Sequence, residues 1–246
     1  MKDNFLNEMG YHWVMKGVIL TNGYGTKLRP FTYVVNKSVL PVYDKPVIYF
    51  PVTTLINAGI EDILITARNP KDFERVLRDE KFSADISFMR EDEPIGTKRS
   101  LYNMKEFIKG VPTLVILGDI YLTFGIKTPE TLDGCVVSVS SFFDSKRISE
   151  YGVVQLDGDK VLSFEEKPNE PKGRFVNMSA TFFPADLINV IEKSPVRDGE
   201  NLTDLANQFL KMNRLSAEVY AQPWFNVGTP EDAFLAAQFR REHRQH

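Results

Sequence analysis

Short apolar runs alternate along the first half of the chain with segments whose apolar residues recur at helical spacing. The apolar runs predict buried strands at about residues 16–21, 63–65, 86–89 and 114–117. The helical pattern predicts helices between them, at about residues 46–59, 70–77 and 96–108. Pro46 suits the first turn of a helix, and Gly59 suits its end. This alternation predicts an α/β fold with a Rossmann-like, mixed but mostly parallel sheet flanked by helices.

The second half of the chain is richer in strands. They are predicted at about residues 136–141, 151–156, 161–166 and 175–183. The sequence Asp157-Gly158-Asp159 between two of them is a hairpin signal. Helices are predicted at about residues 186–193, 202–212 and 230–244. Because no internal repeat, low-complexity run or linker interrupts the pattern, we expect one domain over residues 15–246, preceded by a short extension, residues 1–14.

Composition narrows the class of protein. The chain has 246 residues, 43% of them hydrophobic and 26% charged, which is ordinary for a soluble globular protein. A net charge of −3 gives no reason to expect nucleic acid as a partner. No apolar segment reaches the ~18 residues that span a membrane, and residues 1–14 lack the apolar core of a signal peptide. Cys135 is the only cysteine, so no intrachain disulfide can form, which fits a cytoplasmic protein.

The loop after the first predicted strand carries the clearest candidate chemistry. It contains Gly23 and Gly25, then Thr26 and Lys27, and Lys37 follows ten residues later. Glycines let backbone N–H groups approach an anion closely, and two lysines can neutralise its charge. The loop therefore suits a nucleoside triphosphate.

Three other interpretations of this loop are weaker. A dinucleotide fingerprint needs a third glycine where Leu28 stands. A P-loop needs Gly-Lys-Ser/Thr, whereas the order here is Thr26-Lys27. A plain connection between a strand and a helix would explain the two glycines but not the downstream lysine.

The stretch from Lys16 to Pro46 resembles the N-terminal signature of sugar-1-phosphate nucleotidylyltransferases. The sequence from Leu40 to Ile65 looks most like that of glucose-1-phosphate thymidylyltransferases. The family pattern reads L-A-G-G-x-G-T-R-L-x-P-x-T, and here Asn22 and Lys27 replace its first paired glycine and its arginine. The resemblance implies catalytic roles for Lys27 and Lys37 beside the triphosphate. It implies nucleotide binding by Leu20, Asn22, Gly23, Gly25 and Thr26.

A second matching segment, from Phe88 to Leu101, resembles the family sequence that reads the base. The match implies nucleotide-binding roles for Glu91, Pro94 and Gly96. A carboxylate only accepts hydrogen bonds, so Glu91 would favour an N–H face of the base. Small residues of the family are replaced by Lys98 and Arg99, which we expect to contact phosphate or to fill the pocket.

Two further segments resemble the family's metal-binding sequences. The first ends a buried strand at Asp119, where a carboxylate can hold Mg²⁺ over the phosphates. The second runs from Trp224 to Pro230, and here Asn226 stands where the family has aspartate. Asparagine offers a carbonyl oxygen but no charge, so we expect weaker metal binding and slower turnover.

The segment from Tyr151 to Pro168 resembles the family's sugar-phosphate site. By this resemblance, Gly152, Glu166 and Asn177 bind the sugar, and Lys167 meets the sugar phosphate and has a catalytic role. The sequence from Arg197 to Asp204 also matches, and its Glu200 and Asp204 either close the sugar pocket or cap the following helix.

Together the motifs predict an enzyme that transfers a nucleoside monophosphate to a sugar 1-phosphate with Mg²⁺ as cofactor. Residues 15–125 would bind the nucleotide, with dTTP or UTP favoured, and residues 126–246 the sugar phosphate, with glucose 1-phosphate favoured. The alternative is a catalytically degenerate homologue that binds nucleotide or sugar nucleotide as a regulatory or partner subunit, because several motif positions depart from the family. The sequence leaves open which sugar is used and whether the chain forms a homo-oligomer.

Overall fold

The computed structural model describes residues 14–243. The predicted N-terminal extension, apart from its last residue, and the predicted helix end at Arg244 lie outside this range. The strands are β1 Lys16–Leu20, β2 Pro41–Val42, β3 Lys45–Pro46, β4 Asp62–Ala67, β5 Asp85–Arg90, β6 Thr113–Leu117, β7 Ile120–Leu122, β8 Cys135–Ser140, β9 Gly152–Asp157, β10 Lys160–Glu166, β11 Phe175–Phe183, β12 Leu215–Tyr220 and β13 Trp224–Asn226. The helices are α1 Tyr49–Asn57, α2 Pro70–Leu77, α3 Thr97–Asn103, α4 Lys105–Ile108, α5 Leu187–Glu192, α6 Leu202–Lys211 and α7 Pro230–His243.

One nine-stranded sheet runs through the described chain, in the order β5-β4-β1-β6-β11-β8-β12-β10-β9. The first four strands in this order are parallel to one another, and β8 and β12 also form a parallel pair. β11 pairs antiparallel with both β6 and β8. The predicted mixed α/β sheet is therefore present, with its parallel pairs mainly in the first half of the chain and its antiparallel pairs in the second.

Both faces of the sheet are buried, which explains why its central strands are continuous apolar runs. Successive side chains of a strand point to opposite faces. Ile19 therefore packs in one core with α1 and α2, whereas its neighbours Val18 and Leu20 pack in a second core with α3, α5 and α6. The buried Cys135 belongs to this second core, as expected.

A third, smaller cluster fixes the pair β7 and β13 against the edge of the domain. Phe50 of α1 stacks on Tyr121 of β7, with ring centroids 3.8 Å apart. Val227, just after β13, and Ala236 of α7 complete the cluster. This packing sets the position of the residues that flank the two short strands.

Several predicted boundaries were wrong. The helix expected from residue 46 begins at Tyr49, because β3 first pairs with β2 in a short hairpin. The helix expected over residues 96–108 is divided into α3 and α4 at Met104. Strands β7, β12 and β13 were not predicted. In the described part of the chain, no helix is long and apolar enough to cross a membrane.

Candidate functional site

A crevice opens where the carboxyl ends of β1 and β6 meet. Within the sheet, the chain goes from β1 to β4 on one side of β1, and it later returns to β6 on the other side of β1. Ligands of open α/β sheets bind at such a switch in strand order. Two adjoining cavities of about 360 and 180 Å³, hereafter the larger and the smaller cavity, occupy this crevice.

Every residue to which the resemblance assigns a catalytic, nucleotide-binding, sugar-binding or metal-binding role lines at least one of these two cavities. The larger cavity is lined by Gly25, Thr26, Lys27, Gly152, Glu166, Lys167, Asn177 and Asn226. The smaller cavity is lined by Leu20, Asn22, Gly23, Glu91, Pro94 and Gly96. Lys37 and Asp119 line both. The fold thus brings together motifs that are spread over about 200 residues of sequence.

The glycine loop after β1 folds tightly against the segment that follows it. Gly25 has a φ of +61°, and a Cβ atom there would lie 2.8 Å from Thr32 Cγ2. The Thr32 hydroxyl donates a 2.7 Å hydrogen bond to the Gly25 carbonyl oxygen. Only glycine combines this backbone conformation with so close a contact. Gly23 lies beside Lys37, whose Nζ would be 3.4 Å from a Cβ at that position.

Lys37 is held at the centre of the crevice. It begins a short 3₁₀-helix whose N-cap is Asn36; the Asn36 side-chain oxygen accepts from the N–H of Ser38 at 2.9 Å. The Asn36 amide group also donates to the carbonyl oxygen of Thr21 at 2.9 Å, which ties the turn to the end of β1. The Lys37 ammonium group forms an ion pair with the Asp119 carboxylate. Both side chains are largely buried, with exposed fractions of 18% and 7%.

Lys27 lies at the rim of the larger cavity and is more exposed than Lys37. Its Nζ is 3.4 Å from Glu150 Oε2. Arg147 contacts the same carboxylate and also donates to Asp232 at 2.6 Å. The hydrogen bond from Arg147 holds the pKa of Glu150 below its usual value. These charges form a chain along the cavity wall, and Arg147, which sequence reasoning missed, is part of the lining.

Asp119 and Asn226 lie side by side because β7 and β13 are paired. Asn226 lies opposite Ile120, and the N–H of Val227 donates to the Asp119 carbonyl oxygen at 2.8 Å. Asn226 Oδ1 is buried and accepts no hydrogen bond from any residue between 14 and 243.

The side chains of Asp119 and Asn226 offer oxygen ligands of the kind that binds Mg²⁺, but only Asp119 carries a charge. One carboxylate and one carbonyl oxygen are hard ligands of the kind that Mg²⁺ takes together with substrate phosphates and water. Within residues 14–243, no group of three or more histidine, cysteine, aspartate or glutamate side chains could hold a metal by itself. A metal here would therefore depend on the phosphates of a bound substrate.

Lys98 and Arg99 belong to the segment from Phe88 to Leu101 that resembles the family's base-reading sequence, hereafter the base segment. Both side chains contact the loop of residues 194–200, and these contacts give no support to the predicted role in binding phosphate. Lys98 is fully buried and donates to Ser194 Oγ at 2.8 Å and to the Pro195 carbonyl oxygen at 3.1 Å. Arg99 donates to the Val196 carbonyl oxygen at 2.6 Å. The sequence could not reveal this role, since the loop lies about 100 residues further along the chain.

Gly96 faces the same loop. It has a φ of +89°, and a Cβ atom there would lie 2.7 Å from the Gly199 nitrogen. This contact requires glycine. The two cations and this glycine together fasten the base segment to residues 194–200.

Glu91 lies buried in the smaller cavity beside Asn22 and Ser100. The Asn22 amide group and the Ser100 hydroxyl both donate to Glu91 Oε1, the latter at 2.8 Å. Burial raises the pKa of Glu91, and these two hydrogen bonds partly oppose the change. Ser100 was not among the predicted site residues.

The residues predicted to bind the sugar phosphate lie at or next to the ends of β9, β10 and β11. Gly152 lies so close to β10 that a Cβ atom would be 2.8 Å from Phe164 Cε2 and 3.2 Å from Glu166 Oε2. The Thr203 hydroxyl donates to Glu166 Oε2 at 2.7 Å. Lys167 has a φ of +46° and places its Nζ 3.5 Å from Glu166 Oε1. Thr203 is a further cavity residue that the sequence motifs did not single out.

The structure also separates the two interpretations of Glu200 and Asp204. Asp204 forms a capping box with Asn201 at the start of α6. Glu200 Oε2 accepts from the N–H of Arg197 at 3.0 Å and lies 3.3 Å from Lys98 Nζ. Neither residue lines the larger cavity; Asp204 fits the helix-capping alternative, whereas Glu200 fits neither alternative and holds the loop before α6.

Comparison with known proteins agrees with the family resemblance found in the sequence motifs. The sequence model of the Nucleotidyl transferase family matches residues 16–243. The chain belongs to this family. A glucose-1-phosphate thymidylyltransferase of Mycolicibacterium smegmatis is 34% identical over 240 residues, which are 92% of this chain and 82% of the relative. The enzyme of the same name from Neisseria meningitidis is 32% identical over 238 residues, with 92% and 82% of the two chains covered.

Solved structures agree on the fold. The crystal structure of a protein described as a glucose-1-phosphate thymidylyltransferase from Bacillus anthracis superposes with a TM-score of 0.85 at 27% identity, covering 95% of this chain and 98% of that one. A UDP-glucose pyrophosphorylase superposes with a TM-score of 0.76 at 20% identity, covering 94% of this chain and all of that one, which shows a shared fold. The predicted family resemblance and Rossmann-like α/β class are thus confirmed.

Proposed function

We propose that this chain transfers a nucleoside monophosphate from a nucleoside triphosphate to a sugar 1-phosphate. The main support is that the motifs which resemble those of the family line two adjoining cavities, with Lys37 and Asp119 in the lining of both. The smaller cavity would take the base, and the larger one the phosphates and the sugar. In this proposal residues 15–125 mainly bind the nucleotide, and residues 126–246 mainly bind the sugar phosphate.

In this reaction the bonds form and break between the two substrates, so the protein takes little part in the covalent chemistry. An oxygen of the sugar phosphate attacks the α-phosphorus, a new P–O bond forms, and the bond to the β-phosphate oxygen breaks as pyrophosphate leaves. Positioning and charge stabilisation supply the rate in such transfers. The residues of this crevice are suited to both tasks.

Lys37 and Lys27 would stabilise the charge that moves to pyrophosphate. Lys37 is held between the two cavities, where it can contact both the α-phosphate and the leaving group. Lys27 is at the exposed rim, and its longer contact with Glu150 leaves it free to turn to a phosphate. Lysine keeps the charge of the family's arginine but loses the two-pronged contact.

Asp119 and Asn226 would hold Mg²⁺ together with the substrate phosphates. When bound, the ion neutralises phosphate charge and favours departure of pyrophosphate. Because Asn226 contributes an oxygen but no charge, Asp119 carries the electrostatic part of this site alone. We therefore expect a higher Mg²⁺ requirement than a site with two carboxylates would have.

Glu166 and Lys167 would bind the second substrate. The hydrogen bond from Thr203 holds one carboxylate oxygen of Glu166 and leaves the other to accept from a sugar hydroxyl. Lys167, at the end of β10, would meet the sugar phosphate. The names of the relatives point to glucose 1-phosphate as the first sugar to test, and to dTTP and UTP as the first nucleotides.

The test is pyrophosphate release with Mg²⁺, glucose 1-phosphate and each nucleoside triphosphate in turn. Wild-type protein is compared with Asn226→Asp, and with Asn213→Asp as a charge-matched control outside the lining of both cavities. Turnover by wild type, raised in Asn226→Asp and unchanged in Asn213→Asp, supports the proposal. Absence of turnover in all three contradicts it, and turnover by Asn226→Asp alone would indicate a binding protein on the same scaffold.

A further inference from the structure

Arg147 joins two segments that line the larger cavity. It lies in the 3₁₀-helix Ser145–Glu150, directly before the proposed sugar-phosphate segment that begins at Tyr151. Its partner Asp232 lies in the first turn of α7, shortly after the proposed metal ligand Asn226. The contact between the two side chains therefore connects the place of the sugar phosphate with the place of the metal.

The contact between Arg147 and Asp232 is two-pronged. Arg147 Nη1 donates to Asp232 Oδ1 at 2.6 Å, and Nη2 donates to Oδ2 at 3.4 Å. The Asp232 side chain is only 9% exposed. A planar guanidinium group held at both prongs fixes the orientation of its partner as well as the distance.

Further hydrogen bonds hold each member of this ion pair. The Thr229 hydroxyl donates to Asp232 Oδ2 at 2.7 Å and accepts from the N–H of Asp232 at 3.1 Å. Arg147 Nε donates to Glu150 Oε1 at 3.0 Å, and Nη2 to Glu150 Oε2 at 3.3 Å. All three nitrogen atoms of the guanidinium group thus donate to carboxylates of the protein. Arg147 is therefore better placed to hold these segments than to bind a substrate phosphate.

Two cavities adjoin this ion pair. Arg147 and Asp232 line the larger cavity and also a further cavity of about 410 Å³ with a partly aromatic lining. Close packing normally fixes the spacing of elements in a protein interior, but it is incomplete beside these cavities. Tyr151 packs on Trp224 with ring centroids 5.7 Å apart, but this contact lies at the start of β13. Beyond the end of β13, the spacing of the two segments depends on the ion pair.

We infer that Arg147 is a positioning residue that acts through Asp232. It sets the distance between the sugar-phosphate segment and the metal-binding segment, so that the attacking phosphate oxygen is aligned with the α-phosphorus. This inference rests on the proposed function, which places both substrates in the crevice. In reactions that depend on positioning, a displacement of about 1 Å can cost about a hundredfold in rate.

The experiment is a double-mutant cycle of Arg147→Gln and Asp232→Asn. It measures kcat and KM for glucose 1-phosphate with Mg²⁺ and either dTTP or UTP, whichever wild type uses faster. We expect each single variant to lower kcat/KM for glucose 1-phosphate about tenfold or more, with a much smaller change in KM for the nucleotide. The double variant should be no worse than either single variant, because both changes break the same contact.

Direct contact of Arg147 with a substrate phosphate predicts a different pattern. Asp232→Asn would then release the guanidinium group and leave activity unchanged or raise it, and this result would overturn the inference. Additive losses in the double variant would also overturn it. Arg147→Lys keeps the charge but loses the two-pronged contact, so it should restore little of the activity lost in Arg147→Gln. Full activity in Arg147→Lys would contradict the positioning role.

Arg214→Gln is the matched control. Arg214 also forms a two-pronged contact, with Asp186 at 2.8 and 3.0 Å, and its side chain is 31% exposed, compared with 30% for Arg147. Neither Arg214 nor Asp186 lines the larger or the smaller cavity. Arg214→Gln should lower the urea midpoint but keep the wild-type kinetic constants. Equal losses of activity in Arg214→Gln and Arg147→Gln would mean a general effect of stability and would overturn the inference.

The outcomes also separate this inference from the proposed function. Pyrophosphate release that is the same in wild type and Arg147→Gln upholds the reaction and rejects the positioning role. If wild type releases no pyrophosphate, the proposed function fails, and calorimetric titration with glucose 1-phosphate decides the role of Arg147. Weaker binding in Arg147→Gln than in Arg214→Gln upholds its hold on the sugar-phosphate segment, and equal binding rejects it.

Discussion

The ammonium group of Lys37 forms an ion pair with the carboxylate of Asp119 across 82 positions of sequence. Each is largely buried, and each is expected to contact a different group when substrates bind. The pair links the segment that follows the glycine loop to the end of β6, where the proposed metal site lies.

Replacing Lys37 by methionine should harm both activity and stability. Loss of a charge that stabilises the leaving group typically costs about a hundredfold or more in turnover. The Asp119 carboxylate is 7% exposed, so its unpaired charge should destabilise the fold by about 1–3 kcal/mol. Pyrophosphate release and urea unfolding would check the two effects.

The matching control is the double variant Lys37→Met/Asp119→Asn. Because this variant also removes the unpaired carboxylate of Asp119, it should recover part of the stability lost in Lys37→Met but none of the activity. If the double variant were less stable than the sum of the two single changes, the ion pair would not be the cause.

Restoring a carboxylate with Asn226→Asp should make the stability of the protein depend on Mg²⁺. Without metal, two neighbouring carboxylates repel each other, and the melting temperature should fall by a few degrees. Added Mg²⁺ should reverse the loss, because the ion binds only the folded form. Thermal unfolding in the presence of EDTA or of Mg²⁺ measures this directly. If the melting temperature of Asn226→Asp does not change with Mg²⁺, there is no metal site between Asp119 and residue 226.

Glu91→Gln should raise the stability of the protein at neutral pH. Burial raises the pKa of Glu91 in the folded state above its usual value of 4.5. For a raised acid, the stabilisation is fully present below the usual pKa and is lost as the pH rises through the folded value. Wild type should therefore lose stability relative to Glu91→Gln on going from pH 4 to pH 7. Urea midpoints of both proteins at the two pH values test this, and a constant difference would contradict it.

Lys98→Met should loosen the loop of residues 194–200. The change leaves oxygen atoms of Ser194, Pro195 and Glu200 without the buried ammonium group that now contacts them. We expect a loss of about 1–3 kcal/mol in the free energy of unfolding and faster hydrogen exchange in this loop.

Arg90→Gln provides the comparison for Lys98→Met. Arg90 and Asp92 form an ion pair in which both side chains are more than 60% exposed. Its loss should change stability by less than about 0.5 kcal/mol. Equal effects of the two variants would mean that the buried contacts of Lys98 add nothing to the fold.

The parts of the fold that could be predicted are those with strong local signals. Central strands such as β1 and β6 contain continuous apolar runs, and both faces of the sheet bury them. Strand β12 carries an alternating apolar and polar pattern from Leu215 to Glu218 and was open to prediction, whereas β7 and β13 have only three residues each. Their existence depends on pairing partners that are far away in sequence.

The site shows the same division. Motif positions such as Lys37 and Asp119 could be placed from sequence because each follows a recognisable strand or loop. Arg147 and Thr203 could not, since their importance comes from the side chains they contact across the crevice. The roles of Lys98 and Arg99 depend on a partner loop that no local pattern reveals.

The place of β6 in the sheet has a consequence for how the chain folds during synthesis. β6 pairs on one side with β1, which is made earlier, and on the other with β11, which is made about 60 residues later. A partly folded chain in which β1 has paired with β6 before β11 joins them therefore has an unpaired strand edge at what will become the middle of the sheet. Such edges pair readily with other strands, so we expect this stage of folding to be the most prone to aggregation.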